Sequence, residues 1–233
     1  MPLPARLSEA VVTTPHDPGE RTVLYLHGFA SSARSTKAGY FAERLRDYPV
    51  TFECPDFNEP DFATMTMTRM VDQLGAVLSR VSDRAVLMGS SLGGTLAILA
   101  AARFAPKIDR VVLLAPAVMF AKAGHHLLPP ERIDEWQRRG ALPFFHYAYE
   151  EERLLSYSFY EDSLQHDAFN ATFTQPTLVF QGLRDASVDY RTVEAFARDR
   201  PNVTLSLLDD DHQLIASLPR IWESVADFLG LVE

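Results

Sequence analysis

The sequence predicts an α/β fold with a mostly parallel sheet and helices on both of its faces. The main observation is an alternation: short β-rich runs are followed by longer runs that place apolar residues at helical spacing. This alternation is typical of parallel sheets whose crossovers are helices. A second observation is that 233 residues with 47% apolar content can bury one full-sized core. We therefore expect a single domain over residues 1–233.

The strands and helices are predicted from local patterns taken in chain order. Six runs rich in β-branched and other apolar residues are expected to be strands, and five amphipathic runs are expected to be helices. The predicted strands are 22–27 (TVLYLH), 50–54 (VTFEC), 84–89 (RAVLMG), 109–115 (DRVVLLA), 177–181 (TLVFQ) and 203–208 (VTLSLL). The predicted helices are 35–48, 65–81, 92–104, 191–198 and 213–229.

One segment, residues 117–174, interrupts the alternation because it is too long for a simple crossover. It is rich in aromatic residues and contains helix-like stretches at 130–139 and 151–165, so a small helical cap insertion is predicted there. Its rings either pack the insertion onto the sheet or contact a substrate, and the sequence favours packing. The aromatic residues in question are Phe120, Trp136, Phe144, Phe145, Tyr147, Tyr149, Tyr157, Phe159 and Tyr160.

Composition argues against several classes of partner. A net charge of −9 disfavours binding to nucleic acid or to an anionic membrane surface, since both require basic patches. No apolar stretch is long enough for a membrane span, and the first twenty residues lack the apolar core of a signal peptide. Cys54 is the single cysteine, which excludes an internal disulfide. We expect a cytoplasmic monomer or homodimer.

The segment Gly89-Ser90-Ser91-Leu92-Gly93 matches the pattern G-x-S-x-G. An apolar strand leads into it and a helix rich in small residues follows, which is the context of a nucleophile elbow. The two glycines leave room for the sharp turn that lifts the central residue clear of the sheet. The sequence therefore predicts Ser91 as a nucleophile and disfavours Ser90.

A serine hydroxyl needs a base to take its proton and a carboxylate to orient that base. His212 follows the last predicted strand, and Asp185 follows the strand before it, so both are expected at the edge of the sheet that presents Ser91. Asp189 is the alternative acid, and residues 209–211 are interpreted as a solvated acidic cluster. Five other histidines fit the role of base less well: His16, His125, His126, His146 and His166.

Two backbone N–H groups are needed to stabilise the oxyanion that forms when the serine attacks. Leu92 at the elbow and Phe29 after the first strand are predicted to provide them. Gly28 would let the main chain approach the reacting carbonyl, and His27 is interpreted as bracing this loop. No metal-binding, phosphate-binding or dinucleotide-binding motif is present, so we expect no cofactor and no metal.

These motifs resemble those of the YqiA-like α/β-hydrolase esterases. The resemblance rests on YLHGFASS with the following STKA, on GSSLGG, on QGLRD and on DDDHQL. The cap, from APAVMF through LPPERIDEWQRRG to SYSFYEDS, looks like that of the abhydrolase-domain acyl-protein thioesterase known as mycophenolic acid acyl-glucuronide esterase. The resemblance implies an α/β-hydrolase fold and a Ser-His-Asp acyl hydrolase that uses Ser91, Asp185 and His212.

The resulting hypothesis is a hydrolase that cleaves a small-molecule carboxyl ester or thioester through an acyl-enzyme on Ser91. Two alternatives stay open at this stage. The same three residues could act on an amide or a carbon–carbon bond, or the fold could bind a small ligand with little turnover. Acyl chain length and leaving group are not specified by the sequence.

Overall fold

A computed structural model of the chain describes residues 21–122, 124–125 and 128–231. Predictions for the first twenty residues, and for His16 and His126, lie outside the described residues. The strands are β1 Arg21–Leu26, β2 Val50–Glu53, β3 Ala85–Ser90, β4 Ile108–Leu114, β5 Ala141–His146, β6 Glu151–Ser156, β7 Thr177–Gly182 and β8 Val203–Leu208. The helices are α1 Thr36–Leu45, α2 Met67–Arg80, α3 Leu92–Arg103, α4 Pro130–Arg139, α5 Ser158–Ser163, α6 Tyr190–Arg198 and α7 Leu218–Phe228.

Six of the strands form one sheet in the order β2-β1-β3-β4-β7-β8, and every neighbouring pair is parallel. All carboxyl ends therefore meet at one edge. Alternate residues of β1 face opposite sides: Leu24 and Leu26 pack with α2, α3 and α6, whereas Val23 and Tyr25 pack with α1 and α7. The predicted α/β class, with a parallel sheet and helices on both faces, is confirmed.

The insertion between β4 and β7 contains more strand than the sequence predicts. The helix predicted over residues 130–139 is present as α4, but the helix predicted over 151–165 is wrong in its first part. There β6 pairs antiparallel with β5, and α5 follows only after it. Pairing places Leu155 opposite Leu142, and both are buried, so burial within a hairpin overrides local helix propensity. We call residues 117–174 the cap, and these boundaries stay a prediction.

The cap aromatics divide into a packed set and an exposed set. Trp136 is fully buried and donates a hydrogen bond from Nε1 to the carbonyl of Leu155 at 2.8 Å, and Phe159 is also buried. Phe145 and Tyr147 on the hairpin are 51% and 72% exposed. Packing accounts for the first set and does not account for the second.

Candidate active site

The turn between β3 and α3 holds Ser91 in an unusual backbone conformation. Its φ is 53° and its ψ is −116°, in a region that non-glycine residues rarely occupy. Its N–H donates to the carbonyl of Leu114 at 3.0 Å, and its carbonyl accepts from Gly94 at 2.9 Å and from Ala117 at 3.1 Å. Ser90, by contrast, is buried in the strand at 4% exposure. The turn therefore presents Ser91 rather than Ser90 at the edge of the sheet.

The elbow depends on the absence of side chains at its glycines. A Cβ on Gly93 would lie 2.0 Å from the carbonyl oxygen of Leu26, and one on Gly89 would lie 2.3 Å from that of Gly93. Both distances are far shorter than any contact that atoms tolerate. The start of α3 can thus pass directly against the end of β1 only because residue 93 is glycine, and the tight turn of the elbow itself requires glycine at residue 89.

Gly93→Ala is expected to lower the free energy of unfolding by about 3 kcal/mol, because the added methyl must push α3 away from β1. Urea denaturation followed by circular dichroism measures this change. Gly39→Ala is the matched control: Gly39 lies in α1, and no neighbouring atom comes within 4 Å of the place where its added methyl would lie. Alanine there should raise stability by about 0.5–1 kcal/mol. Equal stability of the Gly93 variant and the parent would contradict the packing argument.

His212 lies in the loop after β8 and connects two side chains. Its Nε2 is 3.1 Å from the Oγ of Ser91, and its Nδ1 is 2.8 Å from Oδ2 of Asp185. A carboxylate can only accept, so Nδ1 carries the proton and Nε2 is free to accept the proton of Ser91. The structure thus brings Ser91, His212 and Asp185 together from three loops at one sheet edge.

Asp185 is held by donors on both of its oxygens. Oδ1 accepts from the N–H groups of Ser187 and Val188, each at 2.8 Å, and Oδ2 accepts from Gln181 at 2.9 Å as well as from His212. Burial of its side chain raises its pKa, but the hydrogen bonds from His212, Val188 and Gln181 outweigh this and hold the pKa below its usual value. Asp185 is therefore ionised at neutral pH and can stabilise a protonated His212.

The competing carboxylates have other contacts. Asp189 caps α6, and its Oδ1 accepts from the N–H of Arg191 at 3.0 Å. Asp209 is exposed and pairs with Arg184. Asp210 departs from the predicted solvated cluster: it is 5% exposed and accepts from the N–H groups of Asp211 and Ser217. The Asp210 carboxylate can bind these two backbone N–H groups because the loop after β8 folds back on itself.

Of the two expected oxyanion donors, Leu92 directly follows Ser91, and Phe29 belongs to the loop after β1. The N–H groups of Phe29 and Leu92 donate to no backbone or side-chain acceptor within the part of the chain that the structure describes. A Cβ on Gly28 would be 3.5 Å from Cβ of Ser91, so the loop after β1 passes directly beside the elbow. Both donors are thus free to bind a ligand oxygen, and their role as an oxyanion hole stays a prediction.

Two side chains near this site are not predicted from the sequence. Gln181 is predicted only to lie in a strand, yet its amide supports Asp185. Lys37 is 6% exposed in the first turn of α1, and burial lowers its pKa to about 8 although Asp185, Asp211 and Asp210 act in the opposite direction. Gln181 could have been found as a polar residue inside an otherwise apolar strand, whereas the burial of Lys37 is revealed only by the structure.

Among the described residues, no group of three or more His, Cys, Asp or Glu side chains is placed to bind a metal ion. Of the helices in residues 21–122, 124–125 and 128–231, none is long and apolar enough to cross a bilayer. His146 and His166 join the cap to the sheet domain, through Asn58 and Thr68 respectively.

Comparisons with known proteins identify a family and a fold. A family model described as "Uncharacterised protein family (UPF0227)" matches residues 22–229. A crystal structure described as "Putative hydrolase from Agrobacterium vitis S4" has a TM-score of 0.80 at 22% identity, over 92% of this chain and 90% of that one. The mouse alpha/beta hydrolase domain-containing protein 10 has a TM-score of 0.73 at 21% identity, over 91% and 90%.

A third similar structure is the monoacylglycerol lipase of Paleococcus ferrophilus. It has a TM-score of 0.73 at 15% identity, and the match covers 91% of this chain and 95% of that chain. No curated protein sequence matches the chain significantly. At these identities the three structures establish the α/β-hydrolase fold, and the chemistry has to be argued from the site itself.

Proposed function

The chain belongs to the uncharacterised protein family UPF0227, and we propose that it is a serine hydrolase that cleaves carboxyl esters or thioesters. The observation that carries this proposal is the continuous hydrogen-bonded array from Ser91 through His212 to Asp185, built on a strained elbow of an α/β-hydrolase fold. A nucleophile, a base and an orienting carboxylate in this geometry are the parts that acyl transfer requires.

The proposed reaction has two steps. The Oγ of Ser91 attacks the carbonyl carbon while its proton moves to Nε2 of His212, and the N–H groups of Phe29 and Leu92 stabilise the oxyanion. The carbonyl re-forms, the bond to the alcohol or thiol breaks, and His212 returns the proton to the leaving group. Water then attacks the acyl-enzyme by the same route, which releases the acid and restores Ser91.

The surroundings favour an apolar acyl group. The ring of Phe29 lies 5.5 Å from that of Phe144 and 5.6 Å from that of Phe159, centroid to centroid, and Phe120 lies 5.8 Å from Phe159. Phe29 and Phe144 are only half-buried, so part of this aromatic surface is accessible. The lipase among the structural neighbours acts on an ester, which also supports this substrate class.

The proposal is tested by fluorophosphonate labelling with mass-spectrometric site mapping, run beside p-nitrophenyl esters of increasing chain length. We expect a label on Ser91 and a clear chain-length optimum above acetate. Matched thioesters and amides define the bond that is cleaved, and a strong preference for the amide would contradict the esterase assignment. Labelling of Ser91 without multiple turnover would favour a ligand-binding protein. No labelling of folded protein would contradict the proposed array.

A further inference from the structure

The loop after β1 carries the Phe29 N–H, and three of its carbonyls, those of Gly28, Ala30 and Ser31, accept hydrogen bonds. The Gly28 carbonyl and the Phe29 N–H belong to the same planar trans peptide, so they point in opposite directions. Nδ1 of His27 donates to that carbonyl at 2.9 Å, and its Nε2 accepts from the N–H of Phe57 at 3.1 Å. Fixing the carbonyl of Gly28 therefore also fixes the direction of the Phe29 N–H.

Two further carbonyls of this loop, those of Ala30 and Ser31, are held from outside it. The carbonyl of Ala30 accepts from the N–H of Tyr147 in the cap at 2.9 Å. The carbonyl of Ser31 accepts from Nδ2 of Asn58 at 2.8 Å. Ala30 has a φ of 50°, which an alanine rarely adopts unless its surroundings enforce it. The conformation of the loop thus depends on these two donors.

Asn58 provides a second connection between this loop and the cap, besides the bond from Tyr147 to Ala30. It is 4% exposed, and its Nδ2 also donates to Oδ1 of Asp56 at 2.6 Å. Its Oδ1 lies 3.1 Å from Nε2 of His146 at the end of β5. Because the amide nitrogen faces a carbonyl and a carboxylate, the amide oxygen must accept, and His146 must donate through Nε2.

The hydrogen bond to Asn58 is the contact that distinguishes His146 from an apolar ring in the same place. It is fully buried, and its ring packs 4.8 Å from Phe62 and 4.3 Å from Tyr149, centroid to centroid. Its Nδ1 is buried and has no hydrogen-bond partner among the described residues. An apolar ring would fill the same space without an unpaired nitrogen, so the contribution of the imidazole is its donation to Asn58.

We propose that Asn58 is a positioning residue for the oxyanion hole, and that His146 ties it to the cap so that the cap and the Phe29 N–H are held as one unit. The inference rests on the proposed hydrolase function. The Phe29 N–H would bind the carbonyl oxygen of the substrate most strongly in the transition state, where that oxygen carries negative charge. A misplaced N–H should therefore lower kcat and leave KM nearly unchanged.

The experiment compares Asn58→Ala and His146→Phe with the parent on a p-nitrophenyl ester. We expect kcat to fall roughly tenfold to hundredfold for Asn58→Ala and severalfold for His146→Phe, with KM within about twofold. Asp162→Ala is the matched control: Asp162 joins the cap to α2 by accepting from the N–H and Oγ1 of Thr68, at 2.8 and 2.6 Å, and its carboxylate has no hydrogen bond to residues 28–31 in the described part of the chain. Its kcat should stay within about twofold of the parent.

A second readout separates positioning from general loosening of the fold. A trifluoromethyl ketone forms an adduct with the nucleophile that places an oxyanion in the hole, so its affinity should weaken in proportion to kcat/KM in both variants. Unchanged kcat and unchanged ketone affinity would overturn the inference. If Asn58→Ala does not fold, His146→Phe decides, since it keeps a ring in the same space.

The parent and Ser91→Ala are measured in parallel. A parent without Ser91-dependent turnover would refute the proposed function, and this inference with it. A normal parent with unaffected Asn58 and His146 variants would refute the inference alone.

Discussion

Ser91→Ala is expected to lower kcat by about 10⁵- to 10⁶-fold while leaving the protein folded. The change removes the nucleophilic oxygen that His212 deprotonates in the first step, so no acyl-enzyme can form, and the remaining donors and binding contacts retain roughly 10³- to 10⁴-fold catalysis over water. Alanine has the same backbone preferences as serine at a φ of 53°, so the elbow should keep its shape. Turnover of a p-nitrophenyl ester and thermal unfolding measure the two effects.

Ser90→Ala is the matched control for this experiment, because it removes the neighbouring hydroxyl of the same motif. Ser90 is buried in β3, and we expect its loss to leave turnover within about tenfold of the parent and the fluorophosphonate label on residue 91. A fully active Ser91 variant, or a label on residue 90, would refute the assignment of the nucleophile.

The sheet was predictable because each of its strands is a short run rich in apolar residues that alternates with an amphipathic helix. Ala85–Ser90 is buried throughout, and Val203–Leu208 at the edge of the sheet is only partly buried, yet the observed ends of both fall within one residue of the prediction. β6 was not predictable in this way. Its sequence, EERLLS, has good helix formers, and it becomes a strand through pairing with β5, which requires knowledge of the tertiary structure.

The residues of the candidate site also differ in whether local sequence or tertiary contacts reveal them. Ser91 is marked by its own neighbours in the sequence, and the order of His212 and Asp185 after successive strands places them at the same edge. Asn58 has no comparable signal, because its contacts join it to Ser31, 27 positions away, and to His146, 88 positions away. Only the fold reveals that Asn58, in the loop after the edge strand β2, holds the loop after β1 that carries the Phe29 N–H.

Asp189 shows how two chemically equal candidates are separated by geometry. It lies four positions after Asp185 in the same loop, and the sequence favours Asp185 only by its distance from the strand. In the structure Asp189 is the N-cap residue that precedes α6, and its carboxylate accepts from the N–H of Arg191 in that helix's first turn. A carboxylate engaged at a helix N-terminus is well placed for capping and badly placed to orient a histidine of another loop.

Asp185→Asn is expected to lower kcat by roughly 10³- to 10⁴-fold through the tautomer of His212. The N–H groups of Ser187 and Val188 both point at Oδ1, so the asparagine oxygen must occupy that position and its NH₂ group must take the place of Oδ2. That NH₂ group then faces Nδ1 of His212, which can pair with it only as an acceptor. The proton moves to Nε2, and the base can no longer accept the proton of Ser91.

The control for this variant is Asp189→Asn, since asparagine caps a helix about as well as aspartate does. Its kcat should stay within about twofold and its free energy of unfolding within about 0.5 kcal/mol of the parent. A larger loss of kcat in Asp189→Asn than in Asp185→Asn would reverse the assignment of the acid. We expect the larger loss in Asp185→Asn because the Oδ2 position accepts from both Gln181 and His212, and an NH₂ group placed there cannot accept from either of them. An amide at residue 189 disturbs no hydrogen bond near His212.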